Sequence, residues 1–205
     1  MTPARGIRAF VARLEGGIAT RRGTLVVLGV ALAVYGVQSI ALPVIPGRDF
    51  GTYLRFYVQM FDWDSVLPMS MLFRTPVAPL LVGGSLDLLG GYGTQVVMAL
   101  LYATSIVCWT RIALTFSRRA ALVTAAALVL YPGYGILFHM LASDSMCAFV
   151  FALWALTLTR AWLQPSPAWY ALLGLVTAAA ALTRPGYQVL AVSRSSRSSA
   201  PPRGG

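Results

Sequence analysis

The stretch TLVVLGVALAVYGVQSIALPVI, Thr24 to Ile45, carries no charged side chain. A helix rises ~1.5 Å per residue, so about 20 apolar residues cross a hydrocarbon core of ~30 Å. This run is long enough to span. It is longer than a signal-peptide core, and the LPVIPG that closes it lacks a small-residue cleavage pattern, so it reads as an uncleaved anchor. Working outward, further runs follow at Thr94 to Phe116, Ala120 to Leu137, Asp144 to Leu163 and Ala168 to Leu182, joined by short connections such as SRR and QPSP. The sequence therefore predicts an all-α polytopic membrane bundle of about five transmembrane helices. Composition agrees: 58% of the 205 residues are apolar and 11% charged, and the mean hydropathy of +0.72 lies outside the soluble-domain mix.

The net charge of +10 comes from 16 basic residues, every one an arginine. Arg5, Arg8, Arg13, Arg21 and Arg22 precede the first span, and Arg111, Arg118, Arg119 and Arg160 flank later ones. That is the distribution of topology charges, not of a nucleic-acid patch. It predicts a cytoplasmic N-terminus in a multi-pass protein of the cell membrane. Within residues 1–23, Ile7, Phe10, Val11, Leu14 and Ile18 recur at helical spacing, as in a helix lying on an anionic leaflet. Residues 24–192 form the transmembrane region, with a first outer loop at 46–93. The tail 193–205, SRSSRSSAPPRGG, has the composition of a disordered segment, and an odd number of spans would carry its arginines outward against the charge rule.

Cys108 and Cys147 fall inside apolar runs, where a thiol is a small buried hydrophobe. With one histidine, His139, conventional zinc spacings cannot be assembled, and no metal site of the chain's own is expected. The tryptophans Trp109, Trp154, Trp162 and Trp169 read, with Tyr170, as packing or belt aromatics.

Three of the six carboxylates sit in one loop, PGRDFGTYLRFYVQMFDWD, Pro46 to Asp64. The predicted orientation puts Asp49, Asp62, Asp64, Asp87 and Asp144 outside or at the outer boundary and leaves Glu15 in the cytoplasm. Phe50, Tyr53, Leu54, Tyr57, Val58 and Phe61 fall on one helical face. They predict an amphipathic helix on the outer membrane surface that begins at Asp49, with Tyr53 and Tyr57 as membrane contacts. Pro76 to Leu89, with proline at its entry and glycines within, is too short to span and is expected to lie at the interface or dip partly in. PGYG at Pro132 to Gly135 hints at a broken helix.

The order of these segments resembles a family. A basic N-terminus, one helix, an outer loop opening on GRD, then RTPVAPLL with LGGYG, SRRAALVTAAALVLYP, the acid of LASDSM and LLGLVTAAAALTRP is similar to the N-terminal half of the GT-C superfamily. Its members are the polyprenyl-phosphate-sugar-dependent glycosyltransferases related to protein mannosyltransferases and aminoarabinose transferases. The resemblance runs from about Gly23 to Leu190. It implies a lipid-phosphate sugar donor, hexosyl or pentosyl transfer in cell-envelope synthesis, an active site on the outer face, and about a dozen crossings. About five are present, so the chain reads as the N-terminal portion of such an enzyme, truncated and on that account open to inactivity.

Breaking an anomeric carbon to phosphate-oxygen bond calls for a base near the acceptor hydroxyl and a cation for the phosphate. The resemblance puts the first-loop acid at Asp49, the candidate base, and a second acid at Asp144. Arg184 in LTRP is the candidate phosphate ligand, since an arginine at the outer end of a span is costly without an anion, with Arg48 and Arg74 as helpers. No cofactor is implied beyond the donor substrate, and a divalent metal carried with it stays open. Bland readings stand beside each: Asp49 and Asp144 as helix N-caps, Arg184 snorkelling, Asp62 and Asp64 as solvated acids, His139 among headgroups. The alternative class is a small non-catalytic multi-pass protein, a scaffold or transporter subunit, and the acceptor is not specified.

Overall fold

In a computed structural model of the chain, the structure describes residues 14–61, 75–184 and 186. The expectations for residues 1–13, for Asp62, Asp64 and Arg74, and for the tail lie outside the described residues. What is described is an all-α helical bundle: α1 Arg21–Ala41, α2 Phe50–Phe61, α3 Val77–Ala113, α4 Arg118–Leu130, α5 Pro132–Phe138, α6 Ser143–Leu163 and α7 Pro167–Thr183. A two-residue parallel pair, β1 Ile45–Pro46 and β2 Met140–Leu141, is the strand structure.

Helices α1, α3 and α6 are long and apolar enough to cross a membrane, and α4 with α5 makes a fourth such span bent by 64°. The bend falls at Tyr131-Pro132, where proline opens α5 at its first position, because a helix that continued through the proline would lose a backbone bond. The fifth expected crossing, α7, is an apolar helix of 17 residues, about 26 Å long by helix rise. Among the described residues, three to four spans are thus present by length and composition.

Helix α3 is the centre, packing on α1, α2, α4 and α6, while α7 lies on α6. Within α3, Pro76 to Leu89 is set off from the Thr94 span as expected: the two helical pieces meet at a kink at Gly90, whose φ of 66° and ψ of −173° lie outside the helical region and suit glycine alone. The amphipathic helix faces elsewhere than predicted. Tyr53 and Phe56 of α2 are buried, Tyr57 lies against Gly83 of α3, and the Tyr57 hydroxyl donates to Asp87 at 2.9 Å. The two tyrosines are therefore protein contacts rather than membrane contacts, because α3 offers their face a glycine-lined partner. Val58 and Phe61 remain exposed.

Helix starts follow the sequence. Thr20, Ser117 and Ser166 cap α1, α4 and α7, each hydroxyl accepting an amide bond from the first turn, the usual role of these residue types. At the arginine-rich end, Arg111 donates to the Thr24 hydroxyl, Arg119 pairs with Glu15 at 2.9 Å, and Ile18 packs on Ala121 and Ala125. Both cysteines are buried. Trp154 bonds Thr177 at 3.1 Å, joining α6 to α7.

Candidate functional site

At the opposite end of the bundle, backbone hydrogen bonds join two segments. The Ile45 amide donates to the His139 carbonyl at 2.8 Å, and the Gly47 amide to the Leu141 carbonyl at 3.2 Å. These two rungs stitch VIPG, just ahead of Asp49, to the segment just ahead of Asp144. The approach is close. A Cβ on Gly47 would stand 2.7 Å from the Leu141 carbonyl oxygen and 2.9 Å from the Ala142 Cβ, so this position needs glycine. We call this junction the clip.

Asp49 follows the clip directly and is half-buried. Its carbonyl accepts the amides of Thr52 and Tyr53 at 3.0 Å each and so starts α2. Arg48 beside it is exposed. On the other side of the clip α6 begins, and here the capping account of Asp144 fails. Ala142 is the N-cap, without a side-chain cap bond, and Asp144 lies in the first turn. Its carboxylate instead receives the Arg184 guanidinium at 2.8 Å.

Arg184 ends α7. The Asp144 carboxylate raises its pKa further above the ordinary arginine value, with the Cys147 thiol adding to the effect. The pair is about half exposed on both sides, 56% and 58%, so it is an ion pair that solvent screens and that opens cheaply. Thr75 joins the same corner, its hydroxyl donating to the Thr183 carbonyl at 2.8 Å. The segment that carries RTP therefore meets the end of α7.

Of the residues singled out from sequence, Asp144 and Arg184 are brought into direct contact, and Asp49 is brought to the same end through the clip. Arg74, next to Thr75, lies outside the described residues. His139 is corrected: it is not among headgroups but fully buried, stacked on Tyr35 with ring centroids 4.1 Å apart. Burial lowers its pKa. Its ring packs inward on Tyr35 while its carbonyl accepts the Ile45 amide. Sequence reasoning missed Gly47, Tyr35 and Thr75. The signal for Gly47 was in PGRD, a glycine directly after a proline between a span and an amphipathic helix. Among the described residues, no group of three or more His, Cys, Asp or Glu side chains is placed to hold a metal.

The family of dolichyl-phosphate-mannose-protein mannosyltransferases matches residues 74–194. The chain belongs to this family. It is accordingly a member of a GT-C type glycosyltransferase family, a group that works from lipid-linked sugars, and a multi-pass membrane protein. The matched region of this mannosyltransferase-family chain contains Asp144, Arg184 and the helices that hold them, whereas Arg48 and Asp49 precede it. No curated protein and no solved structure matches the chain.

Proposed function

We propose that the chain transfers a sugar from a polyprenyl-phosphate donor to an acceptor hydroxyl on the extracytoplasmic side, or forms the N-terminal part of an enzyme that does. The observation that carries this reading is the clip, which ties the Asp49 segment to the turn before the Asp144–Arg184 pair. In the reaction the acceptor oxygen bonds the anomeric carbon as the carbon to phosphate-oxygen bond breaks. Asp49 takes the hydroxyl proton, and the phosphate leaves with the bonding electrons onto a cation.

Arg184 suits the last role. A guanidinium offers five donors in a planar fork that matches phosphate oxygens. Asp144 holds one edge of that fork in place, and half-exposure keeps the cost of rearrangement small. Arg48 and Arg74 stand next in sequence to Asp49 and Thr75 and are proposed as further phosphate contacts.

The test uses the chain in proteoliposomes with a mannosyl-phosphoryl polyprenol as the probe. Asp49→Asn is expected to lower transfer by about 10² to 10⁴ with little change in donor binding, the range for loss of a general base. Arg184→Gln is expected to weaken donor binding. Transfer at the parental rate in Asp49→Asn would sink the assignment of the base.

A further inference from the structure

Beneath the clip lies a buried aromatic stack with no part in the bond changes above. Tyr35 of α1 is 1% exposed and His139 fully buried. Their rings are parallel, the planes 6° apart. The Tyr35 hydroxyl also donates to the Phe138 carbonyl at 3.0 Å. One side chain thus grips two consecutive residues, one through a hydrogen bond and one through stacking. His139 in turn presents its carbonyl to the Ile45 amide at 2.8 Å, which is the first rung of the clip. Contacts therefore run without a gap from α1 to β1, and β1 leads straight to Asp49.

The clip needs such a foundation. A parallel ladder of two residue pairs has no stability of its own in water, and Ile45 at its start is 41% exposed. Leu141 of β2 is buried and the Ser145 hydroxyl donates to the Met140 carbonyl at 3.3 Å, while from α1 Tyr35 grips the two residues that lead into β2.

We propose that Tyr35 and His139 are positioning residues, whose stack and hydrogen bond hold the clip that sets Asp49 relative to Asp144 and Arg184. The inference deepens the reading of the site and rests on it where transfer is measured.

The imidazole gives the device a pH limit. Neither ring nitrogen has a hydrogen-bond partner among the described residues. The titratable or charged groups on the packed elements are Tyr35 of α1, Tyr102 of α3, Tyr134 of α5, Arg48 and Asp49 beyond β1, and Asp144 and Cys147 of α6. None contributes to lowering the His139 pKa, which burial alone produces. A proton on His139 would be a buried cation with no acceptor, and relief comes by swinging the ring out and loosening residues 138 and 139. The clip is then intact at neutral pH and opens as pH falls below the ordinary histidine range of about 6.5.

The experiment places Ile45→Cys and Met140→Cys, partners across the clip, in a chain with Cys108→Ser and Cys147→Ser, reconstituted in proteoliposomes. The rate of oxidative cross-linking reports the clip directly, and helical content by circular dichroism checks folding. Tyr35→Ala and His139→Ala are expected to slow cross-linking about tenfold, with kcat for mannosyl transfer falling while KM for the donor holds, as misplacement of a reacting group requires. His139→Phe keeps a stacking ring and is expected to restore both, and to remove the acid loss of cross-linking that the parent shows. Parental cross-linking in both alanine variants, or the same acid loss in His139→Phe, would overturn the proposal. Asp49→Asn serves as a separate arm. If it transfers normally, the assignment of the base fails while cross-linking still decides whether the stack holds the clip.

Discussion

One methyl group at position 47 is enough to test the clip. Its Cβ would meet a carbonyl oxygen at 2.7 Å and a Cβ at 2.9 Å, both on backbone or next to it, so neither can turn away as a long side chain would. Gly47→Ala is expected to separate the strands and to cost about 1–3 kcal/mol, the usual range for overpacking, measured by thermal unfolding in detergent. A parental midpoint would show that the loop relaxes freely there. Asp144 gives the contrasting case. Its pair with Arg184 is half exposed, and such pairs contribute at most about 1 kcal/mol. Asp144→Asn is therefore expected to leave the unfolding midpoint nearly unchanged while altering donor binding, since it frees the guanidinium from its orienting partner. A large drop in midpoint with unchanged binding would assign the pair to stability alone. At this scale sequence reasoning placed Asp144 and Arg184 correctly at one end but gave no sign that they touch. Their separation of 40 positions is closed by the packing of α7 on α6, and no local spacing encodes that.

At the scale of elements, periodicity located the helices and misassigned one face. The apolar stripe of α2 is real, but a stripe states that a face is buried without stating by what. Here α3 takes it, because Gly83 leaves room for the Tyr57 ring and Asp87 accepts the hydroxyl. Gly83→Ala is expected to push Tyr57 aside and destabilise by about 1–3 kcal/mol by the same overpacking cost, read as a lower unfolding midpoint. Tyr57→Phe, which removes one exposed hydrogen bond, is expected to shift it by less than about 1 kcal/mol. If the two variants behave alike, the ring notch is not what docks α2. The separation of Pro76 to Leu89 from the next span was legible for a different reason. The sequence LLGGYG reads as punctuation, and a single glycine at positive φ breaks the helix there.

Across the whole molecule, the apolar runs made the membrane bundle legible at once, since nothing but hydrophobic length is needed to read a span. The site was legible only where family order supplied it, because the clip is a long-range pairing of two short exposed segments that carry no strand pattern. What the whole chain still predicts is its orientation. The arginine-rich end holds Arg21, Arg22, Arg118 and Arg119, all exposed, and positive residues favour the cytoplasmic side; the clip end with Asp49 then faces out. Cysteine labelling tests this with little disturbance, since Cys108 and Cys147 are buried. Gly51 on α2 is exposed with nothing within 4 Å of an added Cβ, and Phe116 at the other end is 82% exposed. Gly51→Cys is expected to react with a membrane-impermeant maleimide in intact cells, and Phe116→Cys to react only after permeabilisation. The reverse pattern would put the candidate base on the cytoplasmic side, away from the proposed extracytoplasmic reaction, and the functional reading would fall with it.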